Sequence, residues 1–171
     1  MESIASFSLK KGAHAYFEYV RNFRRDNDEM LFHFDPGAGF SMIGLNTIAE
    51  NDDEKTILKS ILQKTILEDQ VVPYKNPMKT VTKEELTVYP CKKSGVYIGG
   101  VRLEYFYFHI VLSDINNPLL GFDYSDDCYY VHNIGGNIEI IGVASNAGER
   151  FYPEKVLDFD TILYRFNSSV I

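Results

Sequence analysis

The stretch VRLEYFYFHIVL, Val101 to Leu112, decides the fold class. Read with a period of two, Tyr105, Tyr107 and Val111 fall on one phase and Phe106, Phe108, Ile110 and Leu112 on the other, so both phases are apolar or aromatic. A strand covered on both faces carries that pattern, whereas a strand with one wet face alternates. The stretch also holds Arg102, Glu104 and His109 and is far short of the roughly 20 apolar residues that a membrane-crossing helix needs. With 12 Tyr, 12 Phe and no Trp in 171 residues, the chain is rich in rings that favour half-buried strand positions, which points to a sheet-rich fold.

Working outward toward the C-terminus, Asn116, Asn117 and Pro118 mark a turn, and Leu119 to Tyr124 reads as a strand running into the acidic stretch Asp123 to Asp127. Tyr129 to Asn133 and Asn137 to Ala144 flank Gly135-Gly136, a hairpin signal. Pro153 suits a first helical position, and Val156, Phe159, Leu163 and Phe166 follow at intervals of three and four, so a closing helix is expected, with a strand as the alternative. Toward the N-terminus, Gly95 to Ile98 and Leu86 to Tyr89 read as two short strands, with Gly99-Gly100 as a tight turn or bulge. Asn51 to Glu54 supply capping and acidic residues ahead of the stripe Ile57, Leu58, Ile61, Leu62, Thr65, Ile66, which predicts a helix ending near Gln70. Met30 to Phe34 and Gly39 to Leu45 read as a hairpin around Asp35-Pro36-Gly37, and Ala13 to Arg25 as a first helix, with Tyr16, Phe17, Val20 and Phe23 at helical spacing. The order of elements predicts one α+β domain over residues 1–171, a predominantly antiparallel sheet with about three helices packed to one side.

A chain of 171 residues buries roughly 70% of its unfolded surface and needs neither disulfide nor metal to fold. Cys91 and Cys128 are far apart and show no chelating spacing, which suggests a reducing compartment. The first eleven residues lack a basic segment followed by a continuous apolar run, so a cytoplasmic rather than exported protein is expected. The net charge of −7 is unevenly spread. Met1 to Ser113 holds 15 acidic and 14 basic residues, and Asp114 to Ile171 holds 9 acidic and 3 basic, so the last third carries −6.

Catalytic patterns are weak. The four histidines, His14, His33, His109 and His132, are never three or four residues apart, as two ligands on one helix face would be. A hydrogen-bonded structural role is the simpler reading of His33 and His109. Cys128 with His132 or His109 is the only nucleophile and base combination to consider, and Asp126 and Asp127 just before it would raise rather than lower the thiol pKa. Gly37-Ala38-Gly39 lacks a complete phosphate-loop pattern. Lys10, Lys11, Arg21, Arg24 and Arg25 form only a short basic stripe in a chain whose remainder repels a polyanion, so direct nucleic-acid binding is not expected. No cofactor, metal or catalytic residue is assigned.

The surface feature left is an acidic, tyrosine-containing face: Asp123, Tyr124, Asp126, Asp127, Tyr129 and Tyr130, with Glu149, Asp158 and Asp160 as a second edge. Tyrosine anchors interfaces, and carboxylates steer a basic partner and raise its on-rate. In size, acidity and lack of catalytic motif the chain resembles the immunity proteins of bacterial toxin systems, including those of contact-dependent growth inhibition. The resemblance implies a non-enzymatic cytoplasmic inhibitor whose partner is a basic protein, a cognate toxin domain of nuclease type. The alternative is a small enzyme or ligand-binding domain with an aromatic pocket on the sheet, lined by Tyr105, Tyr107, Tyr129 or His109.

Overall fold

A computed structural model of the chain describes residues 7–9, 13–17, 29–34, 39–79, 85–98, 101–116, 118–132, 138–144 and 146–170. The elements in chain order are β1 (Phe7–Leu9), β2 (Ala13–Phe17), β3 (Glu29–Phe34), β4 (Met42–Ile43), α1 (Leu45–Ile48), α2 (Asp52–Asp69), β5 (Tyr74–Lys79), β6 (Glu85–Ile98), β7 (Val101–Ile110), β8 (Leu119–Leu120), α3 (Phe122–Ser125), β9 (Cys128–His132), β10 (Ile138–Val143), β11 (Leu157–Asp158) and α4 (Phe159–Val170). A 3-10 turn at Glu149–Phe151 precedes β11. The class is α+β, with a mixed but mainly antiparallel sheet.

The strand Val101–Ile110 is the hub. It pairs antiparallel with the 14-residue β6 from Ile98↔Val101 to Tyr89↔Ile110. Its other edge meets β4 in parallel through Met42↔His109 and Ile43↔Ile110. From β6 the pairings run through β2, β3, β8 and β4 back to β7, and the contact of β7 with β6 closes them into a six-stranded ring. Closure removes free strand edges. Strand β11 adds to β6 in parallel, β5 adds antiparallel, and β1, β10 and β9 form a separate antiparallel sheet.

The two central strands switch their buried face midway. Along β6 burial passes from Val88 and Pro90 to Cys91 and Lys93 and then to Val96 and Ile98; along β7 it passes from Leu103 to Phe106, Phe108 and Ile110, with His109 also buried. The second change on β6 falls at Gly95, whose φ of 66° breaks strict alternation and suits a residue without a Cβ. The expected coverage of both phases of β7 is met only in part: Phe106 and Phe108 are fully buried, His109 on the opposite phase is too, Tyr105 and Tyr107 remain half-buried, and Arg102 and Glu104 are exposed.

Helix α2 forms as its sequence predicts. Asn51 accepts a hydrogen bond from the Glu54 amide at 2.9 Å, and Asp52, Asp53 and Glu54 complement the positive end of the dipole. Gln70 adopts a left-handed conformation, and the Val71 amide bonds the Ile66 carbonyl at 3.1 Å, a Schellman-type stop. Leu58, Leu62 and Thr65 are buried. Helix α4 buries Phe159, Ile162, Leu163 and Phe166, each contributing on the order of 2 kcal/mol of apolar transfer energy. Phe159 meets Phe108 of β7 at 5.3 Å between ring centroids, and Arg165 bonds Thr65 of α2 at 3.0 Å.

Several local expectations are corrected. Ala13–Phe17 is a strand rather than the start of a helix; pairing to both β3 and β6 overrides a helical spacing supported by only a few rings. Residues 18–28, the rest of that expected helix, lie outside the described residues. The expected hairpin of residues 30–45 does not form, because β3 and β4 each pair with β8, which lies between them. The two short strands of residues 86–98 are one. Only Leu119–Leu120 of the 119–124 segment is extended, and a helical turn follows. The closing helix begins at Phe159, after β11, instead of near Pro153. The hairpin of β9 and β10 forms as expected, with the Gly135-Gly136 turn itself outside the described residues.

Candidate functional site

The acidic stretch is divided between the interior and the surface. Asp123 is 1% exposed and Tyr124 fully buried, so neither belongs to an accessible face, contrary to the sequence expectation. The reason is a helical turn: Phe122–Ser125 coils instead of extending, directing Asp123 and Tyr124 inward while Phe122 stays exposed. Tyr124 packs on Phe106 at 5.3 Å, its hydroxyl donates to the Tyr107 carbonyl at 2.7 Å, and it accepts from the Tyr107 amide at 2.8 Å. One hydroxyl thus satisfies the edge of β7 just beyond β4, where the His109 amide takes the Ser41 carbonyl at 2.8 Å.

Asp123 organises a buried polar cluster. Its carboxylate accepts from the Ser41 amide at 3.0 Å, from the Ser41 hydroxyl at 2.6 Å and from the Tyr152 hydroxyl. Ser41 Oγ in turn accepts from the Gly121 amide at 2.9 Å. Burial raises the Asp123 pKa despite the opposing effect of the Ser41 and Tyr152 hydrogen bonds. Burial, followed by the nearby Asp123 charge, pushes the Tyr152 hydroxyl well above its usual value. His109 lies against the Tyr152 ring at 4.7 Å and the Phe40 ring at 4.4 Å. Its Nδ1 is 3.3 Å from the Ser41 carbonyl, its Nε2 has no hydrogen-bond partner among the described residues, and burial lowers its pKa to about 4. A carbonyl acceptor at Nδ1 favours the neutral tautomer protonated there.

The remaining predicted residues have varied positions. Asp127, with its side chain 13% exposed, accepts from the Gly148 amide at 2.9 Å and from Arg150 at 3.0 Å. Asp126 is 67% exposed and 3.6 Å from Arg150. Asp160 is partly exposed and paired with buried Lys93 at 2.7 Å, and it also accepts from the Ser94 hydroxyl at 2.6 Å. Burial pushes the Asp160 pKa up, but the Lys93 and Ser94 contacts outweigh it and hold the carboxyl below its usual value. Asp158 is exposed and accepts from the Asp160 amide at the start of α4, and Glu149 is exposed. Tyr129 and Tyr130 lie in β9, but their side chains are outside the described residues. Cys128 is buried, with its thiol pushed up to about 12 by burial first and then by Asp127 and Asp123, which opposes a reactive thiolate.

The accessible feature that the structure adds is an open cleft between β7 and the segment 146–156. One lobe, of about 560 Å³, is bordered by Lys92, Tyr107, Arg150, Tyr152 and Glu154; an adjoining lobe, of about 640 Å³, by Arg102, Glu104 and Tyr105. Tyr107, Asn146 and Glu149 border both. Tyr107 meets Tyr105 at 6.3 Å and Tyr152 at 5.3 Å, and the Lys92 ammonium sits 4.5 Å over the Tyr105 ring. The pocket expected on the sheet thus has Tyr105 and Tyr107 in its walls, whereas fully buried His109 lies behind Tyr152. The sequence reading missed Ser41, Lys92, Glu104, Asn146 and Tyr152. Only the alternation Tyr105-x-Tyr107 signalled this face, and the segment that covers it arrives from more than 40 residues away. Comparison with protein-family models, curated proteins and solved structures finds no match for this chain. Among the described residues no three His, Cys, Asp or Glu side chains are grouped to hold a metal, and no helix is long and apolar enough to cross a membrane.

Proposed function

We propose that the chain is an immunity-type binding protein of the bacterial cytoplasm that captures a basic toxin domain, of nuclease type, and occludes its active site or substrate path. The observation that carries the reading is the open tyrosine-walled cleft of β7 with the carboxylates Glu104, Glu149 and Glu154 on its border. Half-buried tyrosines supply rigid contact area, and bordering carboxylates steer a basic partner. The cleft border also carries Lys92, Arg102 and Arg150; the acidic surplus lies beyond it, at exposed Asp126 and Asp158, while Asp123 and Tyr124 support the cleft from inside. The two cysteines, buried as free thiols, suit a reducing compartment.

The test is co-expression with the product of the gene immediately upstream, scored by growth rescue and by co-purification. A stable complex is expected, with association slowed about tenfold at low salt by the substitutions Glu149→Lys and Glu154→Lys. Absence of both rescue and complex overturns the reading. One observation favours the alternative of a small-ligand or enzymatic site: Tyr152 joins the cleft wall to the buried Asp123 and Ser41 pair. A small molecule whose binding is abolished by Tyr152→Phe, without effect from the rim substitutions, would support that alternative instead.

A further inference from the structure

We propose that residues 146–154 form a strap that opens as one unit while the sheets stay folded, and that the acidic segment 123–127 is its clasp. Closed, the strap walls the cleft; open, it dismantles the cleft and uncovers His109. Such a device stands whether or not the cleft binds a toxin. The strap runs between β10 and β11, each paired in a sheet, but it has no strand pairing of its own. Its backbone hydrogen bonds are local: the Ala147 amide to the Ala144 carbonyl at 3.0 Å, Glu149 to Asn146 at 3.2 Å, Phe151 to Gly148 at 3.1 Å and Tyr152 to Glu149 at 3.1 Å. Ala147 and Gly148 are its only buried residues. A segment with local hydrogen bonds and little buried apolar surface opens at lower free energy than the sheets that flank it.

Side chains of the acidic segment fasten the strap to the body. Asp127 accepts from the Gly148 amide at 2.9 Å and from Arg150 at 3.0 Å, Asp126 lies 3.6 Å from Arg150, and Asp123 accepts from the Tyr152 hydroxyl. Ring contacts complete the closure: Phe151 meets Phe122 at 6.0 Å, and Tyr152 meets Tyr107 at 5.3 Å and His109 at 4.7 Å. Releasing these contacts breaks no sheet hydrogen bond. Two features lower the cost of opening. The Arg150 side chain is 55% exposed, so water replaces its ion pairs at little cost. His109 Nε2, buried and without a partner among the described residues, gains water once the Tyr152 ring leaves it. Opening also takes Glu149, Arg150 and Tyr152 from the cleft border, so the cleft exists only while the clasp holds.

Native-state hydrogen exchange of the full ¹⁵N-labelled chain is the test, with trypsin cleavage after Arg150 as a second readout. The Gly148 and Tyr152 amides are expected to exchange through an opening that is insensitive to low urea and at least about 100-fold more frequent than the one that exposes Phe106 of β7. Asp127→Asn should raise strap exchange and cleavage about tenfold, whereas Asp53→Asn, which removes the same charge from the exposed first turn of α2, should change neither. Leu62→Val, in the buried stripe of α2, separates strap opening from global unfolding: it should speed exchange at Phe106 about tenfold and leave the strap rates as they were. Strap amides that exchange no faster than Phe106, that speed up with Leu62→Val, or that do not respond to Asp127→Asn would each overturn the device.

Discussion

Asp123 and Asp126 stand three residues apart in one acidic stretch, yet Asp123 is enclosed by Ser41 and Tyr152 while Asp126 is 67% exposed beside Arg150. The interior carboxylate ties three distant segments together; the surface one faces solvent and Arg150. Identical side chains with the same formal charge therefore belong to different physical regimes. Desolvation makes Asp123 dependent on its donors, and water makes the Asp126 pair nearly neutral in energy.

The sharpest way to break the contrast is Asp123→Ala, which strands the Ser41 amide and hydroxyl and the Tyr152 hydroxyl. A loss of about 3–5 kcal/mol is expected in urea unfolding. A loss under about 1 kcal/mol would mean that water replaces the carboxylate.

Next in size is the acid dependence of His109, the neutral neighbour of this cluster. Its folded pKa of about 4 lies below the usual imidazole value of 6.5, so the unfolded chain binds the proton first as pH falls. Stability present above pH 6.5 is then lost progressively down to about pH 4, by about 3 kcal/mol in all. The raised Asp123 pKa acts oppositely: its stabilising contribution is present at low pH and lost as pH rises through the folded value. His109→Phe should therefore flatten the loss between pH 6.5 and 4, measured by urea unfolding at several pH values. An unchanged slope would refute a buried neutral imidazole.

A smaller effect, about 1–3 kcal/mol, is expected for Gly148→Ala. Gly148 has a φ of 79°, and a Cβ there would fall 2.8 Å from the Tyr124 ring. Thermal unfolding measures the loss, and repositioning of the 146–150 turn should perturb the amides of Tyr105 and Tyr107 across the cleft. At the bottom of the scale, Asp126→Ala should change stability by no more than about 0.5 kcal/mol in the same unfolding assay. A loss comparable to that of Asp123→Ala would abolish the distinction between the two carboxylates.

Legibility followed the range of the interactions. Helix α2 was readable because its cap at Asn51, its buried stripe at Leu58, Leu62 and Thr65 and its stop at Gln70 all lie within 20 residues. The β9–β10 hairpin was readable for the same reason. The strand β2 was not, since its state depends on β3 and β6, the latter some 80 residues away. Of the candidate site, Tyr105 and Tyr107 could be placed on one face by alternation, whereas Tyr152 and Glu149 reach that face only through the chain's return after β10.

By itself, the sequence determined an α+β chain rich in tyrosine and phenylalanine, a central aromatic strand and an acidic last third. These follow from composition and local periodicity, which act between near neighbours. Tertiary structure alone decided that the pairings close into a ring, that Asp123 and Tyr124 turn inward, and that Glu104 and Glu149 border one cleft with Tyr107. Whether a carboxylate costs or steers depends on how much water remains around it, and that is settled by segments distant in sequence.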